Sequence, residues 1–289
     1  MTALELYFLI SFMVFIIFFV PVLYVLYKIS RPPLENPKAY LKRMHKQERL
    51  YRENLTLIGD SITHGNSSAN YVKIIQERIK EKGLKYDVIN AGINGNTTTD
   101  ILARIDTIIK CKPNFATILI GTNDAKNSFN NGIKIKNDAK RIQKLEEDLN
   151  IYRKNLISII ERLKKDTNAK IALISIPPIG EDFDDPAFKL SLRYANVIKN
   201  VVNKQNLVYL PLQEKIIHWL KRNPHTPTYP YKRWFVMMFW AILTRHLFKK
   251  SFQEIGEGKG FGLHSDYLHM NEKGASMIAK EVILFLLKS

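Results

Sequence analysis

The sequence predicts a three-layer α/β/α domain that follows one membrane-spanning helix. From residue 54 to the C-terminus, short apolar, β-branched runs alternate with amphipathic stretches. Strands that alternate with helices form a parallel sheet with helices on both faces. Before them, residues 6–27 form an apolar run without a charged side chain. Its length matches the ~20 residues that a helix needs to cross a bilayer.

The apolar run has the features of an uncleaved, single-pass anchor rather than those of a signal peptide. No Lys or Arg precedes it and no small-x-small pattern closes it, whereas a cleaved leader carries both. Basic residues outnumber acidic ones directly after the run, which places the C-terminal domain on the cytoplasmic side of the membrane. We therefore expect an anchor at 1–28, a juxtamembrane linker and helix at 29–53, and a folded domain at 54–289.

Five strands and the helices between them follow from the hydrophobic pattern. The amphipathic stretches repeat their apolar residues every three or four positions, which is the helical period. The predicted strands are 54–59, 86–91, 115–120, 170–176 and 207–210. The predicted helices are about 70–82, 98–110, 138–166, 186–205 and 272–288. Because the strands are expected to be parallel, the loops that follow them meet at one edge of the sheet.

A basic, tryptophan-rich insertion at about 211–263 interrupts this alternation. Between residues 215 and 250 there are eight Lys or Arg and no Asp or Glu, and all three tryptophans lie within the insertion. An apolar block with cationic flanks and tryptophan is typical of a segment in a membrane interface. We expect 229–250 to contact lipid in this way. The alternative is that the insertion packs its aromatic side chains on the core and exposes its lysines.

The net charge of +17 favours an anionic partner. The basic residues cluster beside tryptophan and apolar runs rather than in a nucleic-acid-binding module. We therefore expect a lipid bilayer as a partner and no nucleic acid. The single cysteine, Cys111, excludes an internal disulfide.

Four polar segments are expected to meet at the edge where the strands end. They are Gly59-Asp60-Ser61, residues 90–98, Gly121-Thr122-Asn123-Asp124 and Asp266-Tyr267-Leu268-His269. A serine nucleophile needs a base within hydrogen-bond reach, and the base needs an orienting group. In Asp266-x-x-His269 the carboxylate can hold one imidazole nitrogen while the other faces the serine. The backbone N–H of Gly95 and the amide of Asn123 are of the kind that binds an oxyanion.

In this order, four blocks resemble the SGNH hydrolases, also called GDSL lipases/esterases: Gly59-Asp60-Ser61, Gly95, Gly121-x-Asn123-Asp124 and Asp266-x-x-His269. The resemblance covers essentially the whole domain. It implies a flavodoxin-like sheet and hydrolysis of esters or thioesters without a metal or another cofactor. By position it implies Ser61 as nucleophile, His269 as general base and Asp266 as its orienting group. It also implies an oxyanion hole made by the amides of Ser61 and Gly95 and the side chain of Asn123.

Some positions depart from this pattern or compete with it. Gly95 is preferred to Gly92 because it precedes Asn-Thr, where the family has Gly-Asp-Thr. The Asn at 96 and the basic insertion are departures, and the insertion leaves the substrate class open. His64 is interpreted as a pocket-wall residue, and the spacing of His264 to Asp266 does not fit the family pattern.

We therefore expect a membrane-anchored serine esterase or lipase that forms an acyl-enzyme on Ser61. Its substrate would be a lysophospholipid, another lipid ester or an acyl thioester. One alternative is an O-acetyl esterase acting on cell-envelope carbohydrate, which requires a domain outside the cytoplasm. The other is a membrane-tethered binding protein with a vestigial site, although the complete set of site residues argues against it.

Overall fold

A parallel sheet lies at the centre of the computed structural model, which describes residues 1–44, 52–133 and 135–288. Its order is β2-β1-β3-β4-β5, and every neighbouring pair is parallel. The strands are β1 Glu53–Gly59, β2 Tyr86–Gly92, β3 Phe115–Leu119, β4 Lys170–Ile174 and β5 Val208–Leu210. The predicted five-stranded parallel sheet is thereby confirmed.

Five of the described helices occupy the five predicted amphipathic stretches. The described helices are α1 Ala3–Ser30, α2 Pro37–Met44, α3 Ser61–His64, α4 Tyr71–Glu81, α5 Thr98–Ile109, α6 Thr122–Ile133, α7 Asp138–Asp166, α8 Pro186–Gln205, α9 Leu212–Arg222, α10 Trp234–Phe248, α11 Phe252–Glu257 and α12 Glu272–Lys288. Helix α12 contacts α4 and α9, and α5 to α8 form a second group. Both groups also contact the sheet, which gives the predicted α/β/α layers.

The central strands are buried along almost their whole length. Every residue of β3 is buried, as is every residue of β1 after Glu53. Strands covered on both faces need apolar side chains on both, which explains the continuous apolar runs in the sequence. Strand β4 ends at Ile174, two residues before its predicted end. The backbone N–H of Ser175 still donates to the carbonyl of Leu210 at 3.1 Å. Pro177 and Pro178 follow and cannot donate to a neighbouring strand.

The N-terminal helix α1 is the one helix of the described residues that is long and apolar enough to cross a membrane. It begins with a capping box, in which Thr2 and Glu5 satisfy each other's backbone N–H groups,. Most of its described apolar side chains are exposed. Most of α1 therefore projects from the folded domain, and its C-terminal turns pack against α10.

The linker after α1 is short and attached to the sheet. Helix α2 contacts β2 and α5, and the backbone N–H of Asn90 donates to the carbonyl of Glu35 at 2.8 Å. Residues 45–51, which belong to the predicted linker and helix at 29–53, lie outside the described residues. The domain boundaries after residues 28 and 53 stay predictions.

The insertion folds into helices on the side of the domain where α1 ends. A 3-10 turn at Tyr231–Arg233 leads into α10, which contacts α1 and α11. A small apolar cavity lies between α1 and α10, and its lining includes Val22, Leu26, Ile29, Phe235, Phe239 and Leu243. Trp219 and Trp234 are half-buried, whereas Trp240 is 53% exposed. The insertion thus packs two of its tryptophans and leaves the third exposed.

Candidate active site

Ser61 stands at the first position of α3, directly after strand β1. The Asp60 carboxylate caps this helix by accepting a hydrogen bond from the N–H of Ile62 at 2.9 Å. Gly59 is required because a Cβ there would collide with the side chain of Thr63. Gly65 ends the helix in the left-handed region, at φ 81°, where glycine is favoured. Together these residues turn the chain sharply and fix the serine at the sheet edge.

A chain of hydrogen bonds joins the three side chains predicted for catalysis. The Oγ of Ser61 lies 2.8 Å from Nε2 of His269. The Nδ1 of His269 lies 2.9 Å from Oδ2 of Asp266. A carboxylate can only accept, so Nδ1 carries the proton and the unprotonated Nε2 faces the serine hydroxyl. All three side chains are buried or nearly so.

The second carboxylate oxygen of Asp266 is held by the backbone. Its Oδ1 accepts the N–H of Leu268 at 2.6 Å and that of His269 at 2.9 Å. Burial raises the pKa of this carboxyl, but His269 and the two backbone donors lower the pKa by more than burial raises it. The net pKa of Asp266 is therefore below its ordinary value. Asp266 therefore stays ionised and fixed, which in turn fixes the imidazole plane.

Glu181, which the sequence did not single out, supports the segment that carries Asp266 and His269. Its carboxylate accepts the backbone N–H groups of Gly262, Leu263 and His264 at 2.7 to 2.9 Å. It also contacts Nδ1 of His264 at 2.8 Å, while Nε2 of His264 faces the carbonyl of Pro178. Burial alone would raise the pKa of Glu181, yet His264 and the backbone donors bring it below its ordinary value. His264 is thus part of the scaffold and does not face the serine.

The two loops with the predicted oxyanion donors touch each other. The Nδ2 of Asn123 donates to the carbonyl of Asn96 at 3.1 Å, next to Gly95, whose φ of 78° is left-handed. The Asp124 carboxylate accepts the N–H of Thr98 at 3.2 Å and its hydroxyl at 2.6 Å. Burial raises the pKa of Asp124 to about 6. Asp124 therefore joins the start of α5 to the start of α6 and keeps these loops together.

Arg104 is a second supporting residue that the motifs did not indicate. Its guanidinium donates to the carbonyls of Gly59 at 3.2 Å and Ala91 at 2.7 Å, and to Oδ1 of Asn96 at 2.8 Å. Burial lowers the pKa of Arg104 to about 10. One signal was available, because residue 104 lies one turn after the buried Ile101 on the apolar stripe of α5. A half-buried arginine needs acceptors, and here they are the carbonyls at the ends of β1 and β2 and the side chain of Asn96.

The last turn of α1 is bonded to the loops around the site. The carbonyl of Ile29 accepts Nδ2 of Asn66 at 2.8 Å and Nδ2 of Asn94 at 2.9 Å. Nε2 of His246, on α10, contacts the carbonyl of Asn66 at 3.0 Å. Asn94 directly precedes Gly95 in the sequence. The apolar N-terminal helix therefore ends against the loop of a predicted oxyanion donor.

His64 lies in the same region and is buried. Burial lowers its pKa, against smaller opposing effects of hydrogen bonds to the backbone of Arg31 and the side chain of Asn66. The structure therefore places His64 against the end of the N-terminal helix, whereas His269 contacts Ser61.

The model of the GDSL-like Lipase/Acylhydrolase family matches residues 57–276. An acetylxylan esterase of Geobacillus stearothermophilus is 27% identical over 186 residues, which are 58% of this chain and 80% of that protein. The uncharacterized lipoprotein YqeF of Bacillus subtilis is 31% identical over 137 residues, which are 44% of this chain and 50% of that protein. The matched family segment includes Ser61, Asp266 and His269 but not α1.

Solved structures share the fold. The crystal structure of the acetyl xylan esterase AlAXEase superposes with a TM-score of 0.59 at 23% identity, over 81% of this chain and 99% of that one. The acetylxylan esterase Axe2 from Geobacillus stearothermophilus gives a TM-score of 0.55 at 22% identity, over 80% of this chain and 93% of that one. The α/β arrangement is therefore that of known esterase structures.

Proposed function

Because this chain belongs to the GDSL-like lipase/acylhydrolase family and is thus a carboxylic ester hydrolase, we propose that it is a membrane-anchored serine esterase that uses Ser61. The observation that carries this proposal is the hydrogen-bonded series from Ser61 through His269 to Asp266. It lies at the carboxyl edge of a parallel sheet, where chemistry in α/β proteins is located.

The proposed reaction proceeds through an acyl-enzyme. The Oγ of Ser61 attacks the ester carbonyl and gives its proton to Nε2 of His269. The backbone N–H of Ser61 and Gly95 and the Asn123 amide stabilise the oxyanion. His269 then returns the proton to the leaving alcohol as the carbon–oxygen bond breaks. A water molecule, deprotonated by His269, hydrolyses the acyl-enzyme and restores Ser61.

The protonation of His269 sets the expected pH dependence. Burial lowers the pKa of His269, but the Asp266 carboxylate outweighs it, with a further raising effect of Asp60 and a small lowering effect of Lys126. The net pKa is above the ordinary value of about 6.5. Since only the neutral imidazole accepts the serine proton, we expect kcat/KM to fall on the acidic side with a midpoint above about 6.5. A pH–rate profile with an acidic midpoint below about 6 would contradict this assignment of the base.

We further propose that α1 spans a bilayer and that α10 lies in its headgroup region. With 28 residues, α1 is ~42 Å long, whereas the hydrocarbon core is ~30 Å thick. The helix is therefore longer than the core, and we place the excess at its C-terminal end, where Lys28 follows the apolar run and α10 packs against α1. Tyr24 and Tyr27 are found there under Lys28 and Arg31, as in interfacial aromatic belts. The likeness to a protein named a lipoprotein supports a membrane location.

Trp240 provides a direct test of this arrangement. In full-length protein reconstituted into vesicles, lipids brominated near the headgroups should quench tryptophan fluorescence, because Trp240 is 53% exposed on α10. Trp240→Phe should remove most of this quenching. Trp219→Phe is the matched control, since Trp219 is half-buried against His225, and it should leave the quenching unchanged. Equal quenching of the wild type and the Trp240→Phe variant would exclude α10 from the interface.

The proposed orientation rests on the charges that flank the apolar run at 6–27. Lys28 and Arg31 lie directly after the apolar segment, whereas Glu5 is the one charged side chain before it. We propose that the catalytic domain faces the cytoplasm. Protease added to the outside of intact cells should leave the domain undigested. Digestion of the domain in this experiment would show that it has the opposite orientation.

The substrate that fits this location best is an acyl ester of an amphiphile, such as a lysophospholipid. The exposed apolar side chains Phe235, Val236 and Trp240 beside the anchor support it. The alternative is an O-acetyl ester of a carbohydrate, which the likeness to a protein named acetylxylan esterase favours. That alternative requires the opposite orientation, since cell-envelope glycans lie outside the cytoplasm.

A panel of p-nitrophenyl esters separates the two substrates. Full-length protein in vesicles should hydrolyse octanoyl and longer esters with a higher kcat/KM than the acetyl ester, and the advantage should shrink in detergent. A preference for acetyl that vesicles do not alter would support the carbohydrate esterase instead. The same panel with an acyl thioester decides whether thioesters are accepted.

A further inference from the structure

Lys126 is a half-buried lysine beside the site that no motif accounts for. Its Nζ donates to Oδ1 of Asn123 at 3.0 Å. Its ammonium also lies over the ring of Trp234, 5.3 Å from the ring centroid. Trp234 begins α10, so the basic insertion covers this lysine from outside. Burial lowers the pKa of Lys126, and the Asp60 carboxylate beside Ser61 opposes this effect.

The amide oxygen of Asn123 accepts a hydrogen bond, and its amide nitrogen donates one on the other side. Oδ1 accepts from the Lys126 ammonium at 3.0 Å, and Nδ2 donates to the carbonyl of Asn96 at 3.1 Å. The oxygen and nitrogen of a carboxamide have nearly the same shape, so their hydrogen-bond partners decide which way the group faces. An ammonium can only donate. It therefore selects the orientation in which the N–H groups point away from Lys126 and toward the loop of Gly95.

This orientation decides whether Asn123 helps or harms the proposed reaction. With Nδ2 toward the site, the second N–H of the amide can donate to an oxyanion. With the amide reversed, the carbonyl oxygen would face the developing negative charge and repel it. A cation bound to Oδ1 also withdraws electron density from the amide and makes its N–H groups stronger donors.

We propose that Lys126 is a positioning residue that orients and polarises the Asn123 amide for oxyanion binding, and that Trp234 holds it in place. This inference rests on the proposed function. It gives the insertion a role in the active site, because Trp234, the first residue of α10, packs its ring against the Lys126 ammonium. The cation–π contact and the half-burial keep the ammonium from turning outward to water.

The experiment is a double-mutant cycle of Lys126→Met and Asn123→Ala in the full-length protein, assayed with one p-nitrophenyl ester. Lys126→Met should lower kcat about tenfold with little change in KM, because the lost interaction acts in the transition state. In the Asn123→Ala background, Lys126→Met should lower kcat by less than about twofold, since there is no amide left to orient. Lys164→Met is the matched control: Lys164 binds the backbone carbonyl of Gln205 at 2.8 Å, where α7 and α8 end.

An unchanged kcat in Lys126→Met would overturn the inference, as would the same tenfold loss with and without Asn123. If Lys126→Met does not fold, Trp234→Leu removes the cover and keeps the lysine. It should lower kcat about threefold with Asn123 present and not in its absence. Ser61→Ala shows whether a negative result concerns only the role of Lys126 or the proposed function as a whole. If Ser61→Ala is inactive while Lys126→Met equals the wild type, only the role of Lys126 is wrong. If Ser61→Ala keeps its activity, the proposed function itself is wrong.

Discussion

Ser61→Ala is expected to lower kcat for ester hydrolysis by at least about 10⁴-fold. The Oγ of Ser61 is the atom that lies 2.8 Å from Nε2 of His269, and alanine leaves nothing at this place to attack the ester. The backbone donors of the oxyanion site would still be present, so a small residual rate over water should persist. The loss is measured as kcat with the preferred p-nitrophenyl ester, and a fluorophosphonate probe should no longer label the protein.

The fold should tolerate this change. Helix α3 is capped by the Asp60 carboxylate and closed by the bond from the N–H of Gly65 to the carbonyl of Ser61, neither of which uses the Ser61 hydroxyl, and alanine is a good residue for the first turn of a helix. We expect the melting temperature to stay within about 3 °C of the wild type. Ser128→Ala is the matched control, because Ser128 is also buried but its hydroxyl contacts Tyr194. Ser128→Ala should keep the kcat of the wild type, and ester hydrolysis that survives in Ser61→Ala would contradict the assignment.

Asp266→Asn is expected to lower kcat by about 10³- to 10⁴-fold, with the geometry nearly intact. In the wild type, Oδ1 accepts two backbone N–H groups and Oδ2 accepts Nδ1–H of His269. The asparagine oxygen should keep the two backbone donors, which turns the NH₂ group toward Nδ1. Nδ1 must then be unprotonated, so the proton moves to Nε2. The imidazole then presents N–H to Ser61 and cannot take its proton.

This tautomer mechanism has a control and a second readout. Asp106→Asn changes an exposed carboxylate that pairs with Arg162, and it should leave kcat unchanged. In Asp266→Asn the residual activity should also have a lower acidic midpoint, because the carboxylate that raises the pKa of His269 is gone. A loss of less than about tenfold would show that Asp266 is not the orienting group.

The strands and long helices could be predicted because burial on both faces leaves a direct trace in the sequence. The sequence shows β1 and β3 as apolar runs, and it shows α7, α8 and α12 by apolar residues at the helical period. These elements could be recognised from the order of apolar and polar residues within each segment. The insertion shows the limit of this reasoning. Its composition indicated an interface, but whether a given tryptophan is buried depends on which distant helix it meets. Trp234 meets Lys126, whereas Trp240 is 53% exposed.

The residues of the proposed reaction could be named from the sequence because each belongs to a short motif at the end of a strand. Glu181 and Arg104 belong to no such motif, and most of their partners are backbone groups of other segments. The carboxylate of Glu181 binds the N–H groups of residues 262–264, some eighty positions later. A backbone N–H or C=O is present at every residue, so no letter in the sequence marks it as an acceptor or a donor for a particular side chain.

The two asparagine amides on the carbonyl of Ile29 have a consequence for how the enzyme would meet its substrate. An anchor on a long flexible linker lets a domain sample a volume of solution, whereas α1, as the proposed anchor, would be bonded directly to Asn66 and Asn94. In a bilayer, the domain would then diffuse laterally at a constant height and tilt. Encounters would occur in two dimensions, so turnover should scale with the mole fraction of the ester in the membrane and not with its bulk concentration. Diluting the vesicles at fixed lipid composition should leave the rate per enzyme unchanged.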